Sequence, residues 1–164
     1  MKLAPEIVRI ATAEVGVEEE NGSNCGNRVN QYKAATWLPA DQPWPWCAAF
    51  VCWVVREAMR AARVPETATF KRPRTAGAWD FENWSRDQDD STWTLKPAGN
   101  DIQPGDIVMF TFSHIGIATS APGRNGYVQT VEGNTDSAGS REGGGVFVKS
   151  RHVSKIRSRI RFRV

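Results

Sequence analysis

Cys47 stands where a loop rich in proline and tryptophan, Pro43-Trp-Pro-Trp46, gives way to the apolar run Cys47-Ala-Ala-Phe-Val-Cys-Trp-Val-Val55. A helix beginning there has unpaired backbone N–H groups and the positive end of the helix dipole, and both favour a thiolate, the nucleophilic form of cysteine. Such a nucleophile needs an imidazole to hold the ion pair and later protonate a leaving amine. The imidazole in turn needs an acceptor on its other nitrogen. The chain has two histidines. His152 lies in a basic tail, whereas His114 opens the run Ile115-Gly-Ile-Ala-Thr119. Acceptors are available in Thr130-Val-Glu-Gly-Asn-Thr135, where Glu132 and Asn134 are two apart and share a face if the segment is a strand. Each residue alone has a structural reading: a core cysteine, a satisfied histidine, a turn. The ordered series Cys47, His114, Glu132 and Asn134 points instead to acyl transfer through a thioester.

The elements that must position these residues follow from periodicity. Residues 5–17 read as a helix stopped by Gly16, and about 27–36 as a second, with Val29 and Tyr32 inward. A third runs from about 47 to 63, with Cys47, Phe50, Val51, Val54 and Ala58 on one face and Pro65 beyond its end. Residues 74–85 read as a fourth. The second half changes period. Strands are expected at 106–112, 114–119, 127–132 and 146–149, and a last one at 156–164, where Ile156, Ile160, Phe162 and Val164 alternate with four arginines. Pairing of 114–119 with 127–132 as a hairpin brings Glu132 or Asn134 to His114. Helices first and strands second give an α+β fold, N-terminal helices packed on a C-terminal antiparallel sheet. No repeat or long linker divides the 164 residues, which read as one domain spanning 1–164.

No stretch approaches the roughly 20 apolar residues of a membrane span, and Met1-Lys-Leu-Ala-Pro-Glu6 is too broken by charge and proline for a signal peptide. Synthesis in the cytoplasm without an export signal is expected. Cys47 and Cys52 on one helix lie roughly 8 Å apart, too far to bridge. Cys52 reads as buried filler and Cys25 as a loop bystander. Seven of the 21 Lys and Arg residues fall in 149–164, which holds no acid, leaving 14 basic against 18 acidic residues elsewhere. The arginine face of Arg157, Arg159, Arg161 and Arg163 is a candidate surface for anionic wall polymers or an outer membrane, against the plainer reading of a solvated strand face. Nucleic acid is not expected as a partner, and the chain reads as a monomer.

Trp46-Cys-Ala-Ala-Phe-Val51, Pro104-Gly-Asp-Ile-Val108, Ser113-His-Ile-Gly-Ile117 and Thr130-Val-Glu-Gly-Asn-Thr135 together resemble the CHAP domain. This is the cysteine, histidine-dependent amidohydrolase/peptidase domain, related to the NlpC/P60 enzymes of the papain-like group. The resemblance spans nearly the whole chain. It implies a papain-like fold and hydrolysis of a peptidoglycan amide, either the N-acetylmuramoyl-L-alanine bond or one within the stem or bridge peptide. It places the nucleophile at Cys47 and the base at His114. Glu132 falls at the position that orients the histidine, backed by Asn134 as the fourth member. It is similar to phage endolysins in particular, so the expected site of action is the bacterial cell wall. Some phage members bind Ca²⁺ through an aspartate-rich loop before the cysteine. Here that region offers Asn21, Asn24, Asn27 and Asp41, and Asp87, Asp89 and Asp90 match no calcium-loop spacing. Two histidines and three scattered cysteines make no zinc set, so no metal and no cofactor is expected.

The backbone N–H of Cys47 is the first candidate for the oxyanion hole, with Gln42 the second. Trp37, Trp44 and Trp46 flank the expected cleft. Trp44 and Trp46 are candidate substrate contacts, whereas Trp53, Trp79 and Trp84 are assigned to the core. Two rival functions share parts of this pattern. One is an amidase toxin delivered into a competing bacterium. The other is a non-enzymatic wall- or nucleic-acid-binding module acting through the basic last strand, which has no need of the four-residue set.

Overall fold

The computed structural model describes residues 3–164. Four helices come first: α1 (Leu3–Ala13), α2 (Asn27–Lys33), α3 (Cys47–Ala62) and α4 (Asp80–Arg86). Six strands follow: β1 (Thr92–Leu95), β2 (Ile107–Phe110), β3 (Ile115–Ala118), β4 (Tyr127–Thr135), β5 (Gly145–His152) and β6 (Ile156–Phe162). They form one antiparallel sheet in the order β1-β6-β2-β3-β4-β5. The α+β architecture, helices before sheet, is as the periodicity requires. No helix among the described residues is long and apolar enough to cross a membrane.

The helices cover one face of the sheet. Phe50, Val51, Val54 and Val55 of α3 meet Ile7 of α1, Tyr32 of α2 and the strand residues Ile107, Met109, Ile117, Val131 and Ile160 in the main core. The apolar stripe of α3 is therefore wider than one face, as expected of a helix packed on several sides. A buried polar knot joins the first three helices. Arg28 donates to both oxygens of Glu14 at 2.8 and 2.7 Å, Tyr32 donates its hydroxyl to the same carboxylate, and the guanidinium lies 4.7 Å from the Trp53 ring centre. Burial opposes the charge on Glu14, but these donors outweigh it and hold the carboxyl below its usual range. On the other sheet face, Val108, Phe110, Ala118, Val128 and Ile156 pack under Ala98 and Ile102 of the loop after β1.

Three departures from the sequence reading have local causes. The fourth helix begins at Asp80 rather than 74, because the Thr75 hydroxyl accepts from the Gly77 N–H in a turn that precedes it. The first ends at Ala13, four residues before the expected limit. The third departure concerns the tail. β1, only four residues long, pairs with β6 and makes the last strand an interior one between β1 and β2. A bulge opposite Met109 and Phe110 then breaks its alternation, so Ile156 joins the second cluster while Ile160 and Phe162 join the main core.

The arginine face expected of Arg157, Arg159, Arg161 and Arg163 is accordingly not a free cationic surface. Arg157 pairs with Glu82 of α4 at 2.8 Å and lies over the Trp79 ring. Arg159 is fully buried against Asp101 at 2.7 Å, and Arg161 grips Asp106 at 2.9 and 2.8 Å. Of the four, Arg163 alone is exposed, beside Trp93. The positive charge that looks unbalanced along the sequence is neutralised by carboxylates up to 75 residues away.

Candidate active site

The N-terminus of α3 sets one side of the site. Cys47 is its first residue, and the Trp46 carbonyl accepts from the Phe50 N–H to begin the helix. The Cys47 side of this turn is held down by Trp46, fully buried, whose indole N–H donates to Glu19 at 2.8 Å and whose ring stacks on Tyr32. Trp46 thus cannot touch a substrate, contrary to expectation; its alternation with the exposed Pro45 turns it into the core. Trp44 is partly buried, with its indole N–H donating to the Pro39 carbonyl. Trp79, assigned to the core from sequence, is 38% exposed and donates to the Phe110 carbonyl, because it precedes α4 instead of lying within it.

The sheet sets the other side. The hairpin of β3 and β4 forms as expected, with Ile117 opposite Val131 and Ala118 opposite Thr130. It delivers Glu132 to His114: Nε2 of His114 lies 2.9 Å from Oε1 of Glu132, and both side chains are fully buried. Gly116, between them on β3, makes the approach possible, since a Cβ there would lie 2.7 Å from Cγ of Glu132. The imidazole is stacked with Phe110 and Phe112, at 5.7 and 5.8 Å between ring centres. Its Nδ1 is buried without a hydrogen-bond partner among the described residues. This is the nitrogen left to serve Cys47, whose thiol is near enough to favour the protonated ring even though no bond of standard geometry joins them.

Electrostatics follow from these contacts. Burial works against an imidazolium at His114, but Cys47 and Glu132 outweigh it and raise its pKa to about 9. Burial likewise works against the Glu132 carboxylate, and Arg151 and His114 outweigh it, lowering that pKa to about 2. Arg151 was not singled out from the sequence. Its Nε and Nη2 donate to the two oxygens of Glu132 at 2.9 and 2.5 Å, and the Thr130 hydroxyl adds a third bond at 2.5 Å. The signal lies in the β4–β5 register. Arg151 sits opposite Val128 and Lys149 opposite Thr130, so Arg151, Thr130 and Glu132 share one sheet face.

Asn134 takes a different place from the one expected. It does not back Glu132. Its Oδ1 accepts from the Trp46 N–H at 2.8 Å, while its Nδ2 donates to the Gly143 carbonyl at 2.6 Å. The register of β4 shifts between Glu132 and Thr135, and Asn134 adopts a left-handed φ of 57°. Simple alternation would keep both side chains on one face; the irregularity turns Asn134 towards α3 instead. The structure therefore brings Cys47, His114 and Glu132 into one chain of contacts and gives Asn134 the turn that leads into Cys47.

A second support lies below the loop before Cys47. Lys33 is fully buried, and its ammonium donates to the carbonyls of Asn24 and Gln42 at 2.8 and 2.7 Å. Gln42, the second oxyanion-hole candidate, is thereby fixed through its backbone while its side chain stays exposed. No group of three His, Cys, Asp or Glu side chains is placed to bind a metal among the described residues. All three cysteines are free, and Cys52 is buried with its thiol donating to the Thr75 carbonyl. His152 stays apart, pairing edge-on with Tyr127.

Residues 37–134 match the CHAP domain family, a span that runs through Cys47, His114, Glu132 and Asn134. The chain belongs to the CHAP domain family. Among solved structures it is similar to the wild-type endolysin LysIME-EF1, with a TM-score of 0.58 at 16% sequence identity. That likeness covers 98% of this chain and 64% of the endolysin, so this CHAP protein spans less than two thirds of its structural neighbour. At this identity the likeness speaks for the fold. No curated protein matches the sequence.

Proposed function

We propose that this CHAP protein is a peptidoglycan hydrolase that cleaves an amide bond of the bacterial wall through Cys47. The observation that carries the reading is the buried His114, bonded through Nε2 to an ionised Glu132 and left with Nδ1 free for the thiol. An imidazole so placed can hold a proton against a thiolate and then donate it. The membership in the CHAP family and the fold shared with an endolysin support the wall as substrate.

In the proposed sequence, the Cys47 thiolate attacks the amide carbonyl carbon. Negative charge moves to the carbonyl oxygen, which the Cys47 backbone N–H at the start of α3 stabilises. His114 gives its Nδ1 proton to the amine nitrogen as the C–N bond breaks, leaving a thioester. The neutral imidazole then takes a proton from water, whose oxygen attacks the thioester and releases the carboxylate and the thiolate. Glu132 keeps the ring oriented and compensates its charge throughout, while Asn134 fixes the turn that carries Cys47. The single domain 1–164 is read as sufficient for this chemistry. The rival binding module loses its proposed surface, since three of its four arginines are neutralised.

Purified peptidoglycan incubated with the protein should clear, and mass spectrometry of the digest should show new ends. Free muramic acid carboxyl-side ends identify an amidase, and new stem-peptide amines identify an endopeptidase. Cys47→Ala and His114→Ala should each abolish clearing with the fold intact by circular dichroism. Retention of activity in either variant would sink the assignment.

A further inference from the structure

With the tail arginines neutralised, the positive charge has to be sought elsewhere. It collects at the far end of α3. A cavity of about 630 Å³ lies between the last turns of that helix and residues 64–74, lined by Arg56, Arg60, Arg63, Arg72, Arg74 and Glu66. Arg56 and Arg60 share Glu57 at 2.8 and 2.9 Å, and Arg74 takes both oxygens of Glu66. The guanidinium groups of Arg63 and Arg72 have no carboxylate within 4 Å among the described residues, although the Arg72 backbone N–H donates to Glu66 at 2.9 Å. Five guanidiniums thus face two carboxylates, an excess equal to the formal net charge of +3 for the entire chain.

The arrangement is also held in place. Arg72 is half-buried, its Nη1 donating to the carbonyls of Ala35 and Pro73, and burial followed by the charges of Arg74 and Arg56 pushes its pKa down. Arg63 caps α3 in a left-handed conformation, φ 56°, which carries its side chain past the helix end. A cation at a helix C-terminus is favourable on its own account, and that accounts for Arg60 and Arg63 singly. It does not account for Arg72 and Arg74, which come from a separate segment and crowd like charges into the same hollow.

We propose that this cavity is a docking site for a linear polyanion whose charge is carried by phosphodiesters between non-aromatic units. Guanidinium forks match phosphate oxygens in pairs, which favours phosphate over an isolated carboxylate. The cavity's own lining holds no aromatic ring on which a nucleobase could stack, the exposed Trp37 lying outside it against Arg74, so single-stranded nucleic acid is disfavoured within the hollow itself. The hollow is concave, with Met59, Val64 and Pro65 as its apolar floor and rim, a shape suited to a chain rather than a flat lipid surface. Arg60 follows Cys47 by thirteen positions on α3, so the site lies about 20 Å from the proposed nucleophile. A polymer held there leaves the cleft open. The proposal rests on the wall-hydrolase reading only for the natural source of the polymer, an anionic glycopolymer of the wall.

Binding can be tested with poly(glycerol phosphate), which contains no amide and is indifferent to whether Cys47 is a nucleophile. Fluorescence anisotropy of labelled polymer should show saturable binding that weakens roughly tenfold or more between 50 and 200 mM salt. The double variant Arg60→Gln/Arg63→Gln, at two exposed positions, should bind about tenfold more weakly. Arg60→Lys/Arg63→Lys should recover part of the loss, and Arg163→Gln, which removes an exposed charge elsewhere, should change binding less than about twofold. Absence of saturable binding, or equal losses from Arg163→Gln and the double variant, would overturn the proposal. So would a DNA duplex or vesicles of phosphatidylglycerol binding as tightly and with the same dependence on Arg60 and Arg63.

Discussion

Arg151 grips both oxygens of Glu132, so the carboxylate that meets His114 is ionised before any substrate arrives. The pair lies in the sheet, and Cys47 belongs to the helices; His114 is the group that faces both. Removing the guanidinium should leave a buried, poorly compensated carboxylate. Arg151→Gln is expected to cost roughly 3–5 kcal/mol of stability. Its effect on rate should be separable: without Arg151, Glu132 takes up a proton at higher pH, so the acid limb of the activity profile moves upward. A pH–rate profile on purified peptidoglycan checks this, and Arg151→Lys should restore part of the shift.

Stability should depend on pH through the same pair. His114 is raised from 6.5 to about 9 in the folded protein, so its contribution is complete below about 6.5 and fades as pH climbs to 9. Glu132 is lowered from 4.5 to about 2, so its contribution is complete above about 4.5 and fades as pH falls to 2. Their joint contribution is greatest between those limits. Urea midpoints measured from pH 3 to 10 should show a plateau there, and His114→Gln should flatten the alkaline limb while leaving most of the acid limb.

Two glycines fix how closely the parts of the site approach. Gly116→Ala would place a methyl 2.7 Å from Cγ of Glu132, and should reduce activity by more than tenfold while costing about 1–3 kcal/mol in stability. Gly133→Ala would place one 2.8 Å from Cβ of Phe50 and 2.9 Å from the Trp46 ring, lifting the start of α3 from β4. Thermal unfolding read beside turnover should show stability and activity falling together in Gly133→Ala, and activity falling first in Gly116→Ala.

Lys33→Met should remove the only donors to the Asn24 and Gln42 carbonyls among the described contacts, at about 1–3 kcal/mol. If Gln42 lends a donor to the oxyanion, kcat should fall with little change in KM. A fall in stability with kcat intact would limit Lys33 to holding the loop.

Much of the site was legible in the chain because its signals are local. Cys47 sits at a helix start announced by Pro45 and an apolar run, and the β3–β4 hairpin follows from two alternating segments and the turn between them. What was not legible depends on register. Four residues, Thr92–Leu95, convert the last strand from an edge to an interior one and bring Asp101 and Asp106 over arginines that read as solvent-facing. A single shift in β4 sends Asn134 to Trp46 instead of Glu132. Arg151 carries no motif, and its role appears only once β5 is laid beside β4. Pairings between distant segments, decided by one-residue offsets, leave little trace in composition or period.

The bond from the Trp46 N–H to Asn134 spans 88 residues of sequence. It fastens the helical half, which owns the thiol, to the sheet half, which owns the imidazole. Neither half brings a thiol and an imidazole together by itself, so the proposed catalytic pair requires the two halves to dock. During refolding, helix signal should return before turnover does, and a chain whose halves are formed but undocked is expected to show no turnover.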